Sequence, residues 1–134
     1  MPVAEAQDGG ALRPGAVVVA PAGYHLSVVR RADRSAVARL SLQPLDTPHR
    51  PAVDVLFRSA AEVYGDRTLA VVLTGMGSDG TDGAAWVKAQ GGRVFTEAEE
   101  TCVVYGMPRS VAEAGLSDRS VPLDRMAEEI LGAL

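Results

Sequence analysis

A single cysteine, only two histidines and no surplus of positive charge narrow this sequence before any motif is read. Cys102 has no partner within the chain, which excludes an internal disulfide and a cysteine-based metal cluster and suits a reducing compartment. The net charge of −4 and pI near 5.1 offer phosphate backbones no basic field, so nucleic acid is not an expected partner. No apolar run approaches the roughly 18 residues of a membrane span. The start, MPVAEAQDGG, places acids and glycines where a secretory leader would be first basic and then apolar. The expectation is a cytoplasmic, soluble chain with no membrane insertion. No repeat, low-complexity tract or interdomain linker interrupts the 134 residues, a length that suits one domain with a single core.

What is present reads as alternating strands and helices. RPGAVVVAP (13–21) has the pattern of a buried strand, and HLSVVRR and AVARLSL, separated by ADRS, read as a β-hairpin. PAVDVLFRSAAEVYG predicts a helix with Pro51 at its first position, an apolar stripe through Val53, Leu56, Phe57, Ala60 and Val63, and a stop at Gly65. TLAVVLT, apolar on both faces, predicts a central strand of a parallel sheet. DGAAWVKAQGG predicts a helix stopped by Gly91 and Gly92, and RVFT a strand, so that strand, helix and strand form a βαβ unit. PRSVAEAG reads as a short helix opened by Pro108. RMAEEILGAL reads as a last helix, N-capped by Asp124, with Met126, Ile130 and Leu134 on one face.

The loop LTGMGSDGTDG (73–83) carries the candidate chemistry, and three readings of it are open. Gly75, Gly77 and Gly80 have the G-x-G-x-x-G spacing of a dinucleotide turn after a strand, with Glu97 placed as a ribose-binding acid. Against this, Asp79 would hold a carboxylate beside a docked pyrophosphate, where like charges repel. In the plainest reading, the glycines make a tight turn while Asp79 and Asp82 cap the following helix. In the third, Asp79 sits in the ligand crevice at the carboxyl ends of parallel strands and orients a catalytic histidine.

HRPAVDVLF, AVVLTGMGSDGTDG and TCVVYGMPRSVAEAG, in this order, resemble the catalytic domain of the CheB-type protein-glutamate methylesterases of bacterial chemotaxis. LRPGAVVVAPAGYHLSV and VPLDRMAEEIL extend the likeness over nearly the whole chain. The resemblance implies a three-layer α/β fold, a mainly parallel, doubly wound (Rossmann-like) sheet with an inserted β-hairpin. It implies hydrolysis of glutamyl methyl esters on methyl-accepting chemoreceptors by a Ser-His-Asp triad, with no cofactor and no metal. Asp79 falls on the triad acid, and the backbone N–H of Met76 on an oxyanion donor. In that scheme serine attacks the ester carbonyl, histidine takes its proton and returns it to methanol, and Asp79 fixes the histidine tautomer.

The family's G-x-S-T-G-G nucleophile turn and Q-H-M-P-like segment do not occur in the chain. The expectation is therefore a partial domain over residues 1–134, the C-terminal two-thirds. It lacks its first strands, the serine, the histidine and a receiver domain, and it is prone to self-association through an exposed sheet edge. The other class of function is a non-catalytic remnant that binds a receptor. Ser78 falls one residue short of a G-x-S-x-G elbow and adjoins Asp79, leaving no room for an intervening histidine. His25 reads as a surface or packing residue of the hairpin, His49 as a loop anchor, Cys102 as core, and Trp86 and Tyr105 as packing. The dinucleotide reading has a direct test, since a ligand at about 100 times its dissociation constant adds about 2.7 kcal/mol to stability. Millimolar NAD or NADP is expected to leave the melting temperature unchanged, and a saturable rise would restore the oxidoreductase reading.

Overall fold

In the computed structural model, which describes residues 1–134, two short strands, β1 (Val3–Glu5) and β2 (Val17–Val19), pair in parallel with Val3 opposite Val17. The strand expected within 13–21 therefore forms, but it is exposed rather than buried, with Val19 52% accessible. β1 is the only strand beside it, so its β-branched run faces solvent. β1 itself lies in a segment too short and polar to be read as a strand. β3 (His25–Arg30) and β4 (Ala36–Ser41) form the expected antiparallel hairpin, in register from His25 opposite Ser41 to Arg30 opposite Ala36. Leu26 and Ala38 join Ala6 in a small core beneath it.

Helix α1 (Val53–Tyr64) ends at Gly65, as its stripe predicts, but Pro51 is not its first residue. Ala52 is the N-cap, in extended backbone, and its N–H donates to His25 Nδ1 at 3.2 Å. The proline thus stands one residue before the cap, outside the helix.

The main sheet is β5 (Leu69–Val72), β6 (Arg93–Glu97) and β7 (Arg119–Val121), all parallel and in that order. Helix α2 (Thr81–Ala89) joins β5 to β6, α3 (Met107–Glu113) joins β6 to β7, and α4 (Leu123–Ala133) follows. Ala70, Val72 and Val94 bury one face against Ala61, Ala84, Val87 and Val111 of α1, α2 and α3. Leu69, Val71, Phe95 and Val121 bury the other against Met126 and Ile130 of α4. The result is the expected three-layer α/β arrangement. Among these three strands β5 lies at the edge. The doubly apolar pattern reports two covered faces and is silent about edges. β7 lacks an apolar run and was not readable as a strand. At α4, Pro122 rather than Asp124 is the N-cap, Asp124 lies in the first turn, and Leu134 is exposed beyond the helix end. No helix is long and apolar enough to cross a membrane.

α1 and α2 meet at Gly83, where a Cβ would lie 2.6 Å from Phe57 Cβ and 3.0 Å from Asp54 Cα. The absent side chain is what lets the two helix starts approach. Alanine would ordinarily add about 1 kcal/mol within a helix. Here overpacking costs about 1–3 kcal/mol and dominates. Gly83→Ala is expected to lower the urea midpoint; a raised midpoint would mean that the two helices part without cost.

Candidate active site

The loop after β5 is fixed at its start by a buried acid. Glu97, fully buried at the end of β6, accepts the Thr74 N–H at 2.8 Å and the Thr101 hydroxyl at 2.9 Å. Thr74 and Gly75 then interlock with the 104–107 segment. The Gly75 N–H donates to the Val104 carbonyl at 3.0 Å, and the Gly75 carbonyl accepts the N–H groups of Gly106 and Met107 at 3.1 and 2.8 Å. Glu97 thus holds the loop with both carboxylate oxygens and presents neither to a ribose. This removes the acid on which the dinucleotide reading relied.

At the far end of the loop the aspartates trade places. Asp79 precedes α2 but does not cap it: Oδ2 accepts the Val53 N–H at 2.7 Å and Oδ1 the Asp54 N–H at 3.0 Å, both at the start of α1. Asp54 returns the contact, its Oδ1 accepting the N–H groups of Gly80 at 2.9 Å and Gly83 at 2.8 Å at the start of α2. Gly80, the α2 N-cap, has φ 104°, a left-handed backbone that suits glycine. Each helix start, with its unpaired N–H groups and positive dipole end, is thereby satisfied by a carboxylate from the other segment. Burial pushes the Asp54 carboxyl above its ordinary range; the Gly83 and Gly80 N–H groups oppose this and the charges of Asp79 and Asp82 add to it. The expectation that Asp79 and Asp82 cap α2 is corrected: that work falls to Asp54.

Asp79, half-buried, stands on the wall of a cleft of about 610 Å³ shared with Thr47, His49, Asp54, Ser78 and Ser110. Three residues earlier, Met76 is 79% exposed and its N–H makes no hydrogen bond within the chain. A rigidly held carboxylate and an unclaimed backbone donor therefore occur on one loop. No nucleophile–base pair accompanies them. Ser78 is exposed and bonded to neither histidine.

His25 is fully buried, so of its two expected roles packing is the one observed. Its Nδ1 accepts the Ala52 N–H, which leaves the proton on Nε2, directed at the Pro44 carbonyl 2.9 Å away. It therefore cannot take a proton from Thr47, whose hydroxyl lies 3.1 Å from the same nitrogen. His49 lies exposed at the cleft, and its contribution to the loop is its carbonyl, which accepts the Thr47 hydroxyl at 2.8 Å.

Cys102 is half-buried rather than core, since Val103 beside it is 90% exposed; burial raises its thiol pKa, and the Glu97 charge adds to this. Trp86 is also less packed than expected: it is 39% exposed, with the Arg58 guanidinium over its ring at 4.3 Å. Tyr105 is half-buried, as packing requires. No group of three or more His, Cys, Asp or Glu side chains is arranged to hold a metal ion. Asp54 was missed by sequence reasoning. An acid in the first turn of a helix is an ordinary dipole feature, and nothing in its spacing announces a partner on another helix.

Comparison with known proteins agrees with this layout. The profile of the CheB methylesterase family matches residues 1–130. A protein-glutamate methylesterase/protein-glutamine glutaminase of Myxococcus xanthus is 54% identical over 92% of this chain, and one of Methanosarcina acetivorans 48% identical over 96%. The chain spans about a third of their length, 35% and 37% respectively. The crystal structure of the Thermotoga maritima CheB methylesterase catalytic domain superposes with a TM-score of 0.93 at 42% identity, over 97% of this chain and 68% of that one. The chain belongs to the CheB methylesterase family.

Proposed function

We propose that this chain supplies the triad acid, Asp79, and an oxyanion donor, the Met76 N–H, to a cytoplasmic protein-glutamate methylesterase that hydrolyses glutamyl methyl esters on chemoreceptors. Residues 1–134 are then part of the catalytic domain, its C-terminal two-thirds, and the serine and histidine come from sequence outside them. The observation that carries this reading is the Asp79 carboxylate, held by two backbone N–H groups and still half-open to the cleft. A carboxylate so fixed can accept a third hydrogen bond, from an imidazole N–H, without reorganising. It then holds the imidazole in the tautomer that accepts the serine proton and stabilises the imidazolium formed. The Met76 N–H stabilises the oxyanion as the ester carbonyl becomes tetrahedral, and the protonated imidazole returns its proton to the departing methanol. Relatives whose names include glutaminase fit the same scheme, because amide and ester acyl transfer share that intermediate. The open β5 edge and the exposed valines of β2 support self-association of the isolated chain.

The test is methanol release from methylated receptor. Residues 1–134 alone are expected to release none, for want of a nucleophile and a base, whereas the domain extended to include its serine and histidine releases it. In the extended domain Asp79→Asn keeps one acceptor oxygen where two are used, so one α1 cap bond is lost at about 1 kcal/mol. Turnover of the folded variant is expected to fall by up to about 10⁴-fold, as for triad acids in serine proteases. Full turnover in the folded variant would reduce Asp79 to a helix cap, and release by the short chain would place the chemistry on its own side chains.

A further inference from the structure

Asp54 grips Asp79 at two places. Its own N–H donates to Asp79 Oδ1, and its Oδ1 accepts the N–H of Gly80. That second N–H belongs to the peptide joining residues 79 and 80, so holding it fixes the plane that carries the Asp79 carbonyl and the place of the Asp79 Cα within it. Gly80, at φ 104°, is the next swivel in the chain, and the further bond from Gly83 to the same oxygen locks the turn beyond it. The start of the loop is tied down separately, through Glu97 and the 104–107 segment. Asp54 is therefore the side chain that fixes the end of the loop where the acid sits.

We infer that Asp54 is a positioning residue for the Asp79 carboxylate, acting through its Oδ1 hydrogen bonds rather than its charge. The inference rests on the assignment of Asp79 as the triad acid. Two observations separate hydrogen bonding from charge. Both bonds converge on Oδ1, while Oδ2 makes none within the chain, so asparagine can reproduce the anchor. Burial, together with the neighbouring charges of Asp79 and Asp82, already opposes ionisation at this position, so neutralising it removes repulsion.

The experiment uses the full-length methylesterase, with kcat and KM for methanol release measured on folded variants well below their melting temperatures. Asp54→Asn is expected to keep kcat within about threefold. Asp54→Ala is expected to lose about 10–100-fold in kcat with KM within about twofold, the size of effect for a displacement near 1 Å at a reacting group. Should the alanine variant not fold, Asp54→Glu retains an acid but moves it by one methylene, and a kcat loss of the same order is expected. Wild-type kcat in the folded alanine variant, or in the glutamate variant where alanine does not fold, overturns the inference, as does an asparagine variant as impaired as alanine. Asp79→Ala, run alongside, separates the two levels: if it retains turnover, the triad assignment itself falls, and Asp54's role with it.

Discussion

The start of an α-helix leaves its first N–H groups without acceptors, and in this protein two such starts lie side by side with a carboxylate exchanged between them. Each carboxylate-to-amide bond of the exchange satisfies an N–H that would otherwise lack an acceptor. Four such bonds span residues 25 to 29 apart in sequence, so the exchange fastens α1 to the loop of the βαβ unit. The close approach at Gly83 makes the exchange sterically possible. Neither aspartate could reach the other helix if α1 and α2 stood a side chain further apart.

The loop between β5 and α2 is consequently held from two independent sides. Glu97 and the Val104–Met107 segment fix its first half, where the Met76 N–H lies; Asp54 and the α1 amides fix its second, where Asp79 lies. Its middle is exposed and makes few bonds of its own. A loop built in this way can hold a carboxylate and a backbone N–H in fixed relation although it has no regular structure. Geometry of this kind is what a preorganised hydrolase site requires.

Much of this architecture is legible in the residues because it depends on local period and punctuation. The hairpin, the apolar stripe of α1, its stop at Gly65, and the βαβ unit around TLAVVLT and RVFT all follow from patterns within about fifteen residues. The three-block resemblance singled out Asp79 and Met76. What could not be read depends on partners distant in sequence. α1 opens at Val53, after an N-cap, Ala52, whose N–H is bonded to a histidine on β3. Asp79 caps a helix that precedes it rather than the one that follows. Glu97 has the spacing of a ribose acid, yet it is a buried strut. β2 has the composition of a core strand and lies at the surface, since composition specifies a tendency to be covered and not the element that covers it.

The hairpin contributes no wall to the cleft, yet it is coupled to the acid. The Val28 N–H of β3 donates to Ser59 Oγ at 2.9 Å, and Arg30 donates to the Val63 carbonyl at 2.8 Å, clamping the strand to the middle and far end of α1. At the opposite end of the same helix the Val53 and Asp54 amides hold the Asp79 carboxylate. A helix of 12 residues is a stiff rod roughly 18 Å long at about 1.5 Å per residue. β3 also grips the start of this rod, where His25 Nδ1 accepts the Ala52 N–H beside the two amides that hold the carboxylate, so the hairpin is fastened along the whole helix. The seating of β3 on α1 therefore bears on the acid through the helix that carries its amides, although no residue of β3 itself stands on the cleft wall.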